Sequence, residues 1–146
     1  MNGDAERIEI AAGDGIHLNV VRTGNGAPLL LLHGFTGSAE TWTPVATLLR
    51  DRFTTLAVEL PGHGLSDTPT DPARFALTSL ADDFARILDT YGIERVAVLG
   101  YSMGGRAALQ FALRHPTRVA ALVLESTSPG IVDPKERAIR LASDSA

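Results

Sequence analysis

Gly100-Tyr101-Ser102-Met103-Gly104 sets a serine between glycines, after the apolar run Val96 to Leu99 and before a helix-forming run that begins at Met103. The pattern G-x-S-x-G between a strand and a helix is that of a nucleophile elbow. A serine on so sharp a turn needs neighbours without side chains, because other backbone must pass close to it. The turn lifts the hydroxyl out of the sheet, and the N-terminus of the next helix favours developing negative charge. Ser102 is therefore the candidate catalytic residue. Such a serine works with two backbone N–H groups aimed at an oxyanion. One comes from Met103, the residue after it. The other is expected from Leu32-His33-Gly34-Phe35, with Phe35 as the donor. Arg106 lies one helical turn beyond Ser102, where a guanidinium can grip a carboxylate in two-pronged geometry.

Two further histidine-bearing segments read as structural. His33 is expected to brace its own loop rather than to move protons. In Leu60-Pro61-Gly62-His63-Gly64-Leu65-Ser66 the proline and glycines make a tight turn, with His63 and Ser66 as parts of it. A serine hydroxyl also needs a base. The chain has four histidines, and His115 alone follows Ser102. It stands ~20 Å further along the same helix at 1.5 Å per residue. There it reads as a helix-end residue stabilised by local carbonyls. His17 falls in an early hairpin. The one histidine that follows Ser102 is thus not placed to activate it. Glu125 ends the last strand and reads as structural rather than as a catalytic acid.

The elements that must hold these residues alternate. Ile8 to Ile10 and Ile16 to Val21 read as strands around the turn Gly13-Asp14-Gly15. Ile16, Leu18 and Val20 form the inward face of the second strand. Leu29 to Leu32 reads as a strand buried on both faces. Ser38 to Leu49 reads as a helix that Pro44 delays or breaks. Phe53 to Leu60 is a strand, and Asp67 to Pro72 a surface loop. Leu77 to Tyr91 is a helix capped by Thr78 or Ser79 and ended by Gly92. Val96 to Leu99 and Val119 to Leu124 are expected as buried strands. Met103 to His115 is a helix stopped by Pro116, and Lys135 to Leu141 begins a last one. A hairpin followed by alternating strands and helices predicts an α/β fold with a mostly parallel sheet.

Composition excludes several classes. With 45% hydrophobic and 21% charged residues, the 146-residue chain suits one globular domain and not a disordered segment. The absence of cysteine excludes disulfides, thiolate metal sites and a cysteine nucleophile. A net charge of −4 with scattered basic residues argues against nucleic acid. No apolar run near the start could span a bilayer, and Met1 to Arg7 lacks the apolar core of a signal peptide. The expectation is a soluble, cytoplasmic protein without a membrane partner.

His33-Gly34, the Pro61-to-Ser66 turn and the elbow occur in that order, each after a strand, and on them the whole chain resembles the α/β-hydrolase fold superfamily. Leu32 to Ser38 with Thr41-Trp42, Gly100 to Arg106, and Leu124 to Gly130 are similar, more narrowly, to the 2-succinyl-6-hydroxy-2,4-cyclohexadiene-1-carboxylate synthase family of menaquinone biosynthesis. That resemblance implies a cofactor-free and metal-free lyase that eliminates pyruvate, with a serine triad abstracting the proton. The substrate would be a small molecule bearing carboxylates. It also implies a basic residue at the start of a lid helix, where Arg137 is the substrate-binding candidate ahead of Arg140.

On the same resemblance residues 1–130 are the N-terminal part of the hydrolase core and residues 131–146 the start of the lid. The triad's acid and histidine, with the sheet's last two strands and two helices, would lie outside, on the order of 100 residues. A serine hydrolase acting on an ester, thioester or carbon–carbon bond remains an alternative. So does a non-catalytic fragment that keeps the elbow without its base.

Overall fold

In the computed structural model, which describes residues 5–145, the apolar runs become six strands and four α-helices. The strands are β1 (Ala5–Ala11), β2 (His17–Thr23), β3 (Ala27–Leu32), β4 (Phe53–Val58), β5 (Val96–Tyr101) and β6 (Val119–Glu125). The helices are α1 (Thr43–Leu49), α2 (Leu77–Thr90), α3 (Met103–Arg114) and α4 (Pro134–Asp144). They form one sheet in the order β1-β2-β4-β3-β5-β6. β2 pairs antiparallel with both β1 and β4, while β4, β3, β5 and β6 run parallel. The β1–β2 connection is the expected hairpin, with Asp14 at φ 59° and Gly15 at φ 76° in its turn. The mostly parallel α/β architecture expected from the sequence is present.

Cover on both faces explains why β3 is apolar at every position. Leu30 and Leu32 face one layer with Leu56, Val58 and Val98, beneath Phe84 of α2 and Phe111 of α3. Leu29 and Leu31 face the other layer with Ala39, Trp42 and Ala57. Each fully buried leucine contributes ~1.5–3 kcal/mol by leaving water. Phe84 and Phe111 meet edge to face, 5.8 Å between centroids, which locks α2 against α3. Pro44 delays α1 as its sequence implies. Ser38 caps a short 3-10 turn over Ala39–Trp42, and the α-helix follows with proline in its first turn.

Three expectations need correction. β6 is not buried; it is an edge strand whose Val123 and Leu124 are 52% and 41% exposed. Its apolar sequence suits an interior strand, but β5 alone pairs with it and α3 covers part of one face. Neither Thr78 nor Ser79 caps α2. Ala76 stands at that position, and the Ser79 hydroxyl donates instead to the Ala73 carbonyl. The outward series of β2 is not all solvated: Asn19 is buried because its amide serves an internal carboxylate, Glu59.

Candidate active site

Ser102 sits between β5 and α3 at φ 51°, ψ −113°, a conformation that costs a non-glycine residue ~1–3 kcal/mol. The surrounding glycines make it possible. A Cβ on Gly100 would lie 2.5 Å from the Gly104 carbonyl oxygen, and one on Gly104 would lie 2.2 Å from that of Leu32. No side chain fits where these backbones cross. The Ser102 N–H donates to the Glu125 carbonyl of β6 at 2.9 Å. Its own carbonyl accepts from the N–H groups of Gly105 and Arg106 at 3.0 and 3.2 Å and from the Thr127 hydroxyl at 2.7 Å.

The loop after β3 is held by its histidine. His33 is fully buried, and its Nε2 accepts from the Leu60 N–H at 3.0 Å. The ring proton therefore sits on Nδ1 and is donated to the Gly34 carbonyl at 2.7 Å. The Gly37 N–H reaches the same oxygen at 2.9 Å. In a trans peptide the N–H points opposite to the C=O. Pinning the Gly34 oxygen therefore aims the Phe35 N–H away from the loop. Burial keeps His33 below the usual histidine range, outweighing the hydrogen bond to Gly34, which acts the other way. Among the described residues, no acceptor engages the N–H of either Phe35 or Met103.

The turn from Pro61 to Ser66 is built around a residue the motif does not reveal. Glu59 is 2% exposed, and its carboxylate accepts from the N–H groups of Leu65 and Ala39 and from the Asn19 amide at 2.7, 3.2 and 2.8 Å. The Ser66 hydroxyl donates to the Glu59 carbonyl at 2.6 Å and accepts from the Asn19 N–H at 2.8 Å. Gly64, at φ 55°, leaves room for the carboxylate, which a Cβ there would meet at 2.2 Å. The available signal was an acid closing an apolar strand just before Pro61-Gly62. His63 ties this turn to the loop after β3, with Nδ1 facing the Pro61 carbonyl at 3.0 Å and Nε2 facing the Phe35 carbonyl.

Phe35, Ser102, Met103 and Arg106 line one cleft of about 970 Å³, together with Ser126, Thr127, Ser128, Ile131, Arg140 and Asp144. Four of the five expected site residues thus come together. Arg137 does not line the cleft; its guanidinium donates twice to the Ile131 carbonyl, at 3.2 and 2.8 Å. Arg140, one turn on, lines it and pairs with Asp144 at 2.9 Å. Glu125 contributes its carbonyl, and its carboxylate is not part of the lining.

No histidine lines the cleft. His17 lies beside Asp67 in the hairpin region. His115, at the far end of α3, bonds through Nε2 to Asp82 of α2 at 2.8 Å, so a side chain on the neighbouring helix holds its ring rather than local carbonyls. Arg114 grips the same carboxylate with two hydrogen bonds, and chiefly for that reason the Asp82 pKa falls to about 2. Among the described residues, no group of three histidine or acidic side chains could hold a metal ion, and no helix is long and apolar enough to cross a membrane.

The chain is 40% identical over 139 residues to a Bacillus subtilis (strain 168) protein provisionally named 2-succinyl-6-hydroxy-2,4-cyclohexadiene-1-carboxylate synthase, covering 94% of this chain and 50% of that one. It is 35% identical to a fluoroacetate dehalogenase of Burkholderia sp over 87% of this chain and 42% of the relative. The solved structure of the epoxide hydrolase CorEH superposes with a TM-score of 0.84 at 29% identity, over 90% of this chain and 45% of that one. The chain therefore spans about half the length of these relatives. The α/β hydrolase fold family matches residues 27–143. With the sheet order, the strained serine between β5 and α3 and this match in agreement, the chain belongs to the α/β hydrolase fold family.

Proposed function

We propose that these residues carry the nucleophile, oxyanion and anion-binding parts of a cofactor-free serine enzyme that eliminates pyruvate from a carboxylate-rich substrate. The reaction is that of a 2-succinyl-6-hydroxy-2,4-cyclohexadiene-1-carboxylate synthase. The observation that carries the reading is Arg106, which lines the same cleft as Ser102 and has no ion-pair partner among the described residues; Arg140 lines the cleft too, paired with Asp144. A neutral ester has little use for an unpaired cation in the nucleophile's cleft, whereas a carboxylate is gripped by it. Arg140 lines the cleft where Arg137 was expected, and a substrate carboxylate would have to displace Asp144 from it, while the Arg137 donors are engaged by Ile131.

In this reading a base takes the Ser102 proton and the serine oxygen removes a proton from a substrate carbon. The carbon–oxygen bond then breaks, the leaving unit departs with the electron pair as the pyruvate enolate, and it takes up the proton held by the base, which yields pyruvate and restores the base. The N–H groups of Phe35 and Met103 hold the negative charge that builds on the substrate oxygen. The base and its acid come from residues outside these 146, because His115 is turned to Asp82 and His33 and His63 are committed to loop carbonyls. The described residues up to 130 form the first part of the hydrolase core, and α4 begins the cover of the cleft.

A hydrolase is the second reading. It is favoured by a relative named 2-(acetamidomethylene)succinate hydrolase, 35% identical over 127 residues, whose named substrate is also a carboxylate.

The test is an assay of the catalytically complete protein for pyruvate release beside a panel of p-nitrophenyl esters. Ser102→Ala should abolish pyruvate release while leaving the fold intact. Arg106→Ala should slow the carboxylate reaction by about ten- to a hundredfold, the worth of one charge-assisted hydrogen bond, and leave ester turnover nearly unchanged. Equal losses on both substrates would mean that Arg106 is structural.

A further inference from the structure

We propose that Thr127 is a positioning residue for the nucleophile, holding the strained Ser102 peptide in place from the neighbouring strand. The inference rests on the reading of Ser102 as the nucleophile. Its geometric content stands apart from that reading and is tested separately.

Three described residues other than glycine have positive φ: Asp14, Ser102 and Ser126. Asp14 belongs to the hairpin turn. The other two face each other across the ends of β5 and β6. The Ser102 N–H donates to the Glu125 carbonyl, just before Ser126, and the Thr127 hydroxyl, just after it, donates to the Ser102 carbonyl. Both polar groups of the Ser102 backbone are thus held by one three-residue segment. Ser126, at φ 48°, makes that possible. An extended continuation of β6 would carry residue 127 about 6.6 Å beyond Glu125 along the strand. The left-handed residue turns the chain back instead. One strained serine is braced by another.

The hydroxyl is not needed to satisfy the Ser102 carbonyl. That oxygen has two lone pairs and already accepts from Gly105 and Arg106 in the first turn of α3. The Thr127 bond, at 2.7 Å an ordinary hydroxyl–carbonyl length, is the one of the three that comes from outside the helix, so it ties the peptide to the end of β6. The rest of the side chain is fixed by packing. A Cβ on Gly105 would lie 2.6 Å from Thr127 Cγ2 and 2.7 Å from its Cβ. Threonine fills the space that glycine leaves, and its β-branch restricts χ1. The missing side chain at Gly105 and the branched one at Thr127 are two halves of one fit.

The experiment is NMR of the isotopically labelled, catalytically complete protein. At φ near +50° the N–H and Hα of a residue are almost eclipsed, so Ser102 should show a strong intraresidue HN–Hα cross-peak. Thr127→Val keeps the shape and removes the donor. It should weaken that cross-peak and make the Ser102 amide exchange about tenfold faster, by freeing the local opening that the hydroxyl restrains. Thr127→Ser, which keeps the hydroxyl, should restore both signals. Melting temperatures are recorded alongside. A Thr127→Val chain that melts lower but keeps the Ser102 cross-peak and exchange rate would show simple packing and overturn the proposal. If Thr127→Val does not fold, Thr127→Ala and Thr127→Ser are compared. Recovery by serine alone supports the proposal, and equal behaviour of the two overturns it. Failure of the nucleophile reading would appear elsewhere, as turnover that survives Ser102→Ala while the NMR result holds.

Discussion

His33 Nε2 accepts from Leu60 while its Nδ1–H fixes the Gly34 carbonyl, so a second ring proton would set one N–H against another. Burial already holds the folded-state pKa below the ordinary value of 6.5. The unfolded chain takes up the proton near that ordinary value, and the folded chain only at lower pH. The stability this group contributes is therefore whole above about pH 6.5 and falls as the pH drops below it. Urea midpoints measured from pH 8 to pH 5 should fall more steeply for the native chain than for His33→Asn. Parallel curves would remove His33 from the account.

At this scale the sequence was most legible where chemistry demands fixed spacing. Ser102, Met103 and Phe35 follow from motifs whose turns need particular glycines. Glu59 was not legible, because its partners come from Arg7, Asn19, Ala39 and Leu65, four separate segments. Arg137 and Arg140 are one turn apart on an exposed helix, so no periodicity could tell which one the Ile131 carbonyl occupies.

Among the elements, α3 is placed by contact rather than by propensity. Gly104 rests against the carbonyls of Leu32 and His33, at the end of the central strand, and neither can retreat without moving β3. Gly104→Ala should cost on the order of 3 kcal/mol in a denaturant titration, at the upper end of ordinary overpacking. A loss well under 1 kcal/mol would mean that α3 slides freely over β3. The interior strands and the long helices were legible from hydrophobic runs and stop signals. The burial of β6 was not, because an apolar run records what a strand suits, and its actual cover depends on what pairs with it. The first turn of α2 was misread for a related reason. Ser79 can cap a helix or bond a nearby carbonyl, and Ala73 is within its reach.

For the molecule as a whole, the two edges of the sheet differ. β1 carries Glu6, Arg7 and Glu9, charges that discourage pairing with another chain. β6 carries Ala120, Ala121, Leu122, Val123 and Leu124 in a row, with Glu125 as its one charge. The isolated chain should associate through β6 in size-exclusion chromatography run over a range of concentrations. Val123→Lys should shift it towards monomer. A concentration-independent monomer before the substitution would sink the idea. The position of β6 also matters under load. Tension applied from the C-terminal side reaches β6 before any other strand, and β6, like β1, has a single neighbour. It would unzip while β4, β3 and β5 stay zipped, and the Glu125 carbonyl and Thr127 hydroxyl would leave Ser102 with it. The sheet edge then behaves as a mechanical fuse, disarming the serine before the fold itself gives way.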